Sequence, residues 1–191
     1  LQHVGSAGTP PYEPELISAI VESGRPVVPT GAHRVWVFPA TVQFPERLQD
    51  RRLRADFPAA LYDEVQRSFE DFHTLAYFRT TPRQMFFGEA SMKQWIDAGA
   101  VIGIGTDSGT PMNFHTEALW REIKVFVDLG MSPQSAISAA TRVNARILGK
   151  SNELGTIEAG KLADIIVVNG DPLFNIMALA QVEIVVKGGR V

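Results

Sequence analysis

The chain has 191 residues, a formal net charge of -3, 45% hydrophobic residues and no cysteine. This length and apolar content suit one globular domain with a substantial core. The mild negative charge argues against a nucleic-acid partner, and the lack of cysteine excludes disulfides and thiolate metal or redox sites. No apolar run approaches the roughly 18 residues of a membrane span, so no membrane partner is expected, and the first residues lack a signal-peptide pattern.

The outer parts of the chain alternate short apolar strands with amphipathic helices, which indicates an α/β fold. The predicted elements are a strand ending at His3, a helix closed by Gly24, a strand at Val27-Val28, a helix at about 89–98, a strand at 101–104, a helix at about 116–129 and a helix at 133–148. Beyond residue 150, β-branched runs at about 155–168 and 182–189 predict strands with tight turns. The chain thus divides into residues 1–150 and a small sheet at 151–191.

A long segment from about His33 to Arg83 interrupts this alternation. It mixes aromatic and arginine side chains, and the apolar spacing between Pro58 and Phe78 predicts a helix within it. A segment of this length in a compact α/β unit is typically functional or an inserted subdomain. Because it follows a strand, it is a candidate lid whose basic residues hold a substrate carboxylate, with His33 and Arg34 as substrate-binding candidates. A peripheral helical excursion with solvated arginines is the alternative.

The segment Gly103-Ile-Gly-Thr-Asp107-Ser-Gly109 is the strongest functional signal. A short apolar run ends at Asp107, and the flanking glycines let backbone or ligand approach its carboxylate. Active sites of barrels and open α/β sheets lie at the C-terminal ends of the strands. Asp107 is therefore a candidate catalytic residue, with an ordinary turn aspartate as the alternative.

Two histidines add to this signal. His3 also ends a predicted strand, and imidazole with carboxylate is the usual ligand set for Zn²⁺ or a similar divalent ion. We therefore expect His3 and Asp107 to lie close together at one edge of the sheet. His115 stands where the next helix begins, which suits substrate binding or proton transfer, whereas a capping or surface role is the simpler alternative.

Several motifs, taken together and in their order, resemble the C-terminal half of a metal-dependent amidohydrolase of the imidazolonepropionase and prolidase-like branch. They are His3 with Gly5, Val28-Pro-Thr30, Gly105-Thr-Asp-Ser-Gly109, His115-Thr-Glu117, Ala139-Ala-Thr141 with Asn144-Ala145, and Gly155-Thr-Ile-Glu-Ala-Gly-Lys-Leu-Ala-Asp164 with Gly170-Asp-Pro172. The resemblance implies a (β/α)₈ TIM-like barrel, of which this chain holds strands six to eight with their helices. The tail strands would form the C-terminal half of a β-sandwich.

The same resemblance implies a divalent metal, zinc first, present as one or two ions. Asp107 would ligate the metal, take the proton from the attacking water and pass it to the leaving nitrogen. His3 would ligate a second metal or, in a one-metal enzyme, hydrogen-bond the hydroxide or the scissile carbonyl. The family's His-x-His pair and its further Lys, Glu or His ligands do not occur in this sequence.

The chain is accordingly expected to be part of a longer enzyme, inactive by itself, and to form homo-oligomers or associate with the missing N-terminal half. Hydrolysis of a dipeptide-like C–N bond is the first expectation, because the basic, aromatic segment suits a small-molecule substrate with a carboxylate. Cyclic amide hydrolysis and heterocycle deamination are the alternatives. Two non-enzymatic alternatives are an inactive fragment that keeps the fold of the family and an unrelated α/β binding module.

Overall fold

The computed structural model describes residues 1–3, 11–37, 39, 40 and 45–191, and leaves out the side chains of residues 33, 34, 45, 77 and 80–82. Three short segments, residues 1–3, 26–30 and 101–107, lie side by side in parallel. Single bridges join Gln2 to Val28 and Val27 to Ile102, so the second segment lies between the other two. Each bridge is supported by two backbone hydrogen bonds of 2.7 to 3.0 Å. The three predicted strands therefore pair in parallel, but only over one bridge each.

Helices surround these segments. They are α1 (Pro14–Glu22), α2 (Ala32–Val35), α3 (Arg51–Ala55), α4 (Ala59–Glu70), α5 (Ala76–Asp97), α6 (His115–Asp128), α7 (Pro133–Ser138) and α8 (Asn144–Ile147). Turns of 3₁₀ helix cover Pro45–Gln49, Phe72–Thr74 and Ile176–Ala180, and a π-helical turn, Ala139–Val143, joins α7 to α8. Within the described ranges, no helix combines the length and apolarity needed to cross a bilayer.

The helices on either side of residue 130 begin and end close to where their sequence signals predict. The predicted helix at about 116–129 is α6, and Gly130 follows it with a φ of 107°. Ser132 caps α7 by accepting a hydrogen bond from the Ser135 N–H at 3.2 Å, and Pro133 occupies the first turn. These are the residue types that helix ends require.

The helix predicted at about 89–98 is much longer than expected. It is α5, which begins at Ala76 and has 22 residues, or about 33 Å at 1.5 Å per residue. Pro82 and Gly88 lie within its bounds, and both disfavour helix interiors. Packing at both ends outweighs that preference, because Phe78 and Trp95 are buried in different clusters of apolar side chains.

The first of these clusters lies beneath the parallel segments, where Val27, Trp95 and Phe126 are fully buried. The second cluster, which we call the excursion core, is built largely by residues of the long inserted segment. Its buried members are Val37, Leu48, Leu53, Phe69, Phe78 and Met112. Met112 belongs to the loop that follows Asp107, so the described residues of the inserted segment from about His33 to Arg83, which we call the excursion, pack directly on that loop.

The π-helical turn places Asn144 against the outer edge of the third parallel segment. The Asn144 side-chain amide donates to the Ile104 C=O at 2.7 Å, and its carbonyl accepts from the Ile104 N–H at 3.1 Å. Gly103 makes this approach possible, because a Cβ there would lie 2.6 Å from Asn144 Oδ1 and 2.5 Å from Ile147 Cδ1.

The tail differs from its prediction in extent. Two antiparallel strands form, β1 (Ile165–Val168) and β2 (Val182–Val186), so residues 155–164 and 187–189 lie outside them. Residues 155–164 turn instead of extending, because Gly155 has a φ of 95° and packs so closely on α8 that a Cβ would lie 2.6 Å from the Ala145 Cβ. Both faces of the strand pair carry exposed apolar side chains, among them Ile166, Val167 and Val185.

Candidate active site

The structure brings His3 and Asp107 together. They end the first and third parallel segments, and His3 Nδ1 lies 3.8 Å from Asp107 Oδ2. The side chains are 45% and 34% exposed, so solvent or a ligand can reach both. Residues that end parallel segments share one edge of a sheet, which is why two positions so far apart in sequence meet here.

All three parallel segments end in a left-handed backbone conformation. The φ angles are 54° at His3, 53° at Thr30 and 52° at Asp107. Residues with a side chain rarely adopt such angles, and for β-branched threonine the angle is a marked outlier. Strained residues of this kind cluster at functional sites, where surrounding structure holds them in place. Thr30 therefore joins the two predicted residues as a third member of the site.

Thr30 contacts His3 directly. The Thr30 Oγ1 and His3 Nδ1 atoms are 2.9 Å apart, and the Thr30 hydroxyl donates a hydrogen bond to the Pro29 C=O at 2.6 Å. Thr30 itself is 4% exposed. The motif Val28-Pro-Thr30 contributed to the family resemblance, but no sequence pattern indicated a role for this hydroxyl.

Glu122 holds the backbone that follows Thr30. It lies on α6, is fully buried, and accepts hydrogen bonds from the Gly31 N–H at 2.8 Å and the Ala32 N–H at 2.6 Å. Sequence analysis missed this residue, although a signal was present. Glu122 falls on the face of α6 that also buries Ala118, Val125 and Phe126, and a carboxylate on an apolar helix face needs buried hydrogen-bond donors.

The backbone around Asp107 is held by the loop that follows it. The Asn113 side-chain amide donates to the Thr106 C=O at 2.7 Å and to the Asp107 C=O at 3.2 Å, and the Thr110 hydroxyl donates to the Asp107 C=O at 3.0 Å. Asn113 is buried. These bonds fix the turn that projects the Asp107 carboxylate.

A buried cluster of charged and aromatic side chains connects the excursion to this loop. Arg47 Nη2 lies 2.7 Å from Glu117 Oε1 and donates to the Met112 C=O, while Arg121 Nε donates to Glu117 Oε2 at 3.0 Å. Both guanidinium groups lie on the Trp36 ring, at 4.7 Å for Arg47 and 3.5 Å for Arg121. Burial lowers the pKa of Arg47 to about 10, opposed by the charge of Glu117.

Of the three predicted substrate-binding residues, the structure describes the side chain of His115. His115 is exposed at the first residue of α6, where it lines a cavity of about 420 Å³ with Asp56, Phe57 and Thr116. The backbones of His33 and Arg34 lie in α2, shortly after Thr30. Their side chains fall outside the described part of the structure, so their role stays a prediction.

The donor set of His3 and Asp107 fits a divalent cation such as Zn²⁺, which imidazole nitrogen and carboxylate oxygen ligate. Thr30 contacts His3 Nδ1, and a metal-ligating histidine commonly has such a hydrogen-bond partner on its other ring nitrogen. Among the described residues, no group of three or more His, Asp or Glu side chains is close enough together to hold an ion. By themselves, His3 and Asp107 would supply only part of a ligand set.

Comparison with known proteins assigns the chain to a family. The model of the amidohydrolase family matches residues 88–191, more than half of the chain and including Asp107. The chain belongs to the amidohydrolase family. The sequence prediction of this superfamily and branch is confirmed, since curated imidazolonepropionases and solved prolidase-like structures are among its relatives.

One similar relative is the imidazolonepropionase of Geobacillus kaustophilus, which is 32% identical over 106 residues, covering 53% of this amidohydrolase chain and 25% of that enzyme. The chain therefore matches only about a quarter of the length of this curated relative.

Two solved structures cover 99% of the amidohydrolase chain. A Xaa-Pro dipeptidase with methionine bound in its active site is 25% identical, with a TM-score of 0.65, and 38% of that protein is covered. Molinate hydrolase is 22% identical, with a TM-score of 0.68 and 37% covered, and shows a shared fold. Structures of amidohydrolase TIM-barrel proteins thus match nearly every residue of this chain.

Proposed function

We propose that this chain carries the His3 and Asp107 portion of a metal-dependent active site that hydrolyses a C–N bond in a dipeptide-like substrate. The observation that supports it best is the meeting of an imidazole and a carboxylate at the ends of two parallel segments, 3.8 Å apart. Family membership favours the same reaction class. We further propose that the three segments correspond to strands six to eight of a (β/α)₈ barrel and the tail to half of a sandwich.

In this proposal, His3 and Asp107 would hold one or two divalent ions, zinc first, together with ligands outside this sequence. Such an ion lowers the pKa of water and polarises a carbonyl. The Asp107 carboxylate accepts the proton of the attacking water and returns it to the leaving nitrogen as the C–N bond breaks. The left-handed turn at Asp107, fixed by Asn113 and Thr110, keeps that carboxylate aimed at the site.

The proposed substrate class depends on which basic side chains of the excursion can bind a substrate carboxylate. Two of its arginines already pair with carboxylates of this chain, because Arg47 contacts Glu117 and Arg52 contacts Asp50. They are therefore poor candidates for binding a substrate carboxylate. By position, His33 and Arg34 are better ones, since α2 begins two residues after Thr30. We assign the substrate carboxylate to this helix, in line with the similarity to a Xaa-Pro dipeptidase.

Cyclic amide hydrolysis is the second candidate, because the imidazolonepropionase of Geobacillus kaustophilus is similar over 106 residues. The test is an assay of the zinc-loaded complete protein that carries this chain, on dipeptides, N-blocked dipeptides and an imidazolone bearing a propionate. Dipeptide cleavage that is weakened by Arg34→Met and kept by Arg34→Lys supports the first candidate. Exclusive turnover of the imidazolone supports the second, and turnover of neither contradicts both.

We also propose that further polypeptide covers the groove between α7, α8 and the tail. This groove of about 640 Å³ is lined by apolar side chains that include Leu148, Ile157, Leu162 and Ile166. Leu148 is 71% exposed and Ile157 is 83% exposed. Apolar surface on this scale favours association, whether with another copy or with the remainder of a longer enzyme. By itself the 191-residue chain is then expected to be inactive.

A further inference from the structure

We infer that Thr30 and Glu122 are positioning residues that hold His3 as the tautomer protonated at Nδ1, so that Nε2 is the nitrogen His3 presents to a ligand. The tautomer follows from hydrogen-bond geometry alone. Its consequence for metal binding rests on the proposed function.

The hydrogen bonds of Thr30 locate the proton that it shares with His3. A threonine hydroxyl carries a single hydrogen, and that of Thr30 is donated to the Pro29 C=O at 2.6 Å. In its 2.9 Å contact with His3 Nδ1, the Thr30 oxygen therefore acts as acceptor. The hydrogen between the two side chains must then come from His3, which places it on Nδ1. In a neutral imidazole the other nitrogen, Nε2, keeps its lone pair.

Asp107 is a second acceptor near the ring among the described residues. Its Oδ2 lies 3.8 Å from His3 Nδ1, too far for a hydrogen bond. Among the described residues, Thr30 is thus the group that fixes the tautomer, and the Asp107 carboxylate lies near the ring without accepting this proton. Thr30 therefore orients the imidazole, and the Asp107 carboxylate keeps its proposed role as metal ligand and proton acceptor.

Neighbouring groups hold Thr30 in its left-handed conformation. Its φ of 53° is strained for a β-branched residue, so the turn must be held by its surroundings. Glu122 does this by accepting the N–H groups of the next two residues, Gly31 and Ala32, inside the protein. Hydrogen bonds to a carboxylate are stronger than neutral ones. Met92 packs tightly on the loop, since a Cβ at Gly31 would collide with its Sδ.

The test reads the tautomer directly. The chain is labelled with ¹⁵N-histidine, and the imidazole nitrogens are observed above neutral pH by magic-angle-spinning NMR, which tolerates self-association. The sequence has 4 histidines, and His3→Gln identifies the His3 signals. We expect a protonated Nδ1 and an unprotonated Nε2 in the wild type. An unprotonated Nδ1 would overturn the inference.

Variants of Thr30 separate positioning from general structure. Thr30→Val removes the hydroxyl and should convert His3 mainly to the form protonated at Nε2, whereas Thr30→Ser should keep the wild-type spectrum. Thr141→Val is the matched control, because the Thr141 hydroxyl donates to the Ile137 C=O on an exposed helix face and should leave His3 unchanged. An unchanged tautomer in Thr30→Val, or the same change in the Thr141→Val control, would contradict the role of Thr30.

Glu122→Gln tests the support of the loop. The variant should speed amide hydrogen exchange at Gly31 and Ala32 and reduce the Nδ1-protonated population. Unchanged exchange and an unchanged tautomer would remove Glu122 from the inference. If tryptophan fluorescence shows that this variant fails to fold, Glu122→Asp replaces it, because it shortens the side chain but keeps the charge. Faster amide exchange at Gly31 and Ala32 in Glu122→Asp supports the role of Glu122, and unchanged exchange removes it.

Zinc binding by the complete protein, measured by competition with a chelator, separates this inference from the proposed function. Loss of a hydrogen-bond partner of a metal-ligating histidine typically weakens metal binding by about 10- to 100-fold. Thr30→Val should therefore bind zinc that much more weakly, and Thr30→Ser should bind it as the wild type does. If zinc binds no variant while the tautomers behave as expected, the metal-dependent function fails and the positioning role stands. Equal affinity in wild type and Thr30→Val would show that the tautomer does not control the ligand.

Discussion

Arg47 and Glu117 form a buried ion pair, with Nη2 2.7 Å from Oε1 and side chains that are 5% and 14% exposed. Since Arg47 also donates to the Met112 C=O, this pair joins the excursion to α6 and to the loop after Asp107. We expect Arg47→Met to lower the free energy of unfolding by about 3 kcal/mol, the lower end of the range for breaking a buried pair, because Arg121 remains bonded to Glu117. Urea unfolding followed by tryptophan fluorescence measures this.

The matched control for that variant is Lys93→Met. It removes a pair with Asp97 in which the side chains are 55% and 58% exposed, and exposed helix pairs contribute about 0.5 kcal/mol or less. Equal losses in the two variants would show that burial of Arg47 adds nothing.

Gly103→Ala should destabilise the chain by about 1–3 kcal/mol, the usual cost of overpacking. The new methyl would meet Ile147 Cδ1 at 2.5 Å and Asn144 Oδ1 at 2.6 Å. The double variant Gly103→Ala/Ile147→Val should recover part of the loss, because it removes one of the two clashing atoms. Chemical denaturation of the two single variants and the double variant tests this, and strictly additive losses would argue against the predicted collision.

Asp107→Asn should lower turnover by the complete enzyme about 10²- to 10⁴-fold, as expected for loss of a general base. An amide cannot accept the proton of the attacking water, and it is a weaker metal ligand than a carboxylate. Asp128→Asn, at an exposed residue paired with Lys124, controls for the same chemical change elsewhere. Unchanged kcat in Asp107→Asn, with normal metal content, would remove Asp107 from the mechanism.

Asp164 offers a pH-dependent contact in the tail. The hydrogen bond from Lys187 Nζ, helped by the Gly188 N–H at 2.8 Å, holds the pKa of the Asp164 carboxyl below its ordinary value. A lowered pKa means that the contact stabilises the fold above the unfolded-state pKa and is lost as pH falls through the folded-state pKa. Lys187→Met should raise this pKa in a ¹³C NMR titration, while Lys150→Met, which removes a pair with Glu153, should leave it unchanged. A shift in neither variant would contradict the assignment to Lys187.

The isolated chain should self-associate through the groove that contains Leu148 and Ile157. Sedimentation velocity should show species larger than 21.0 kDa that shift towards the monomer in Leu148→Glu and Ile157→Glu. Leu61→Glu, at an apolar residue on α4 that is 45% exposed, controls for added charge away from the groove. A monomer at every concentration would contradict this prediction.

Sequence patterns were sufficient for contacts that follow from regular geometry. His3 and Asp107 could be expected together because both end parallel strands, and Ser132 could be expected to cap α7 because it precedes Pro133. Glu122 could not be placed against Gly31, which lies 91 residues away, since no local pattern encodes that contact. The early start of α5 was missed for a similar reason: distant packing of Phe78 outweighs the local preferences of Pro82 and Gly88.

The side chain of Asn144 also limits the ways in which copies of this chain can associate. Its amide occupies both hydrogen-bonding groups of Ile104, on the edge of the third segment that faces away from Val27. A strand from another copy could pair with Ile104 only by displacing that amide, because an added strand needs the same N–H and C=O groups. Addition of a strand is therefore blocked at Ile104. Copies of the chain should associate through apolar surface instead, and mild detergent should reverse that association.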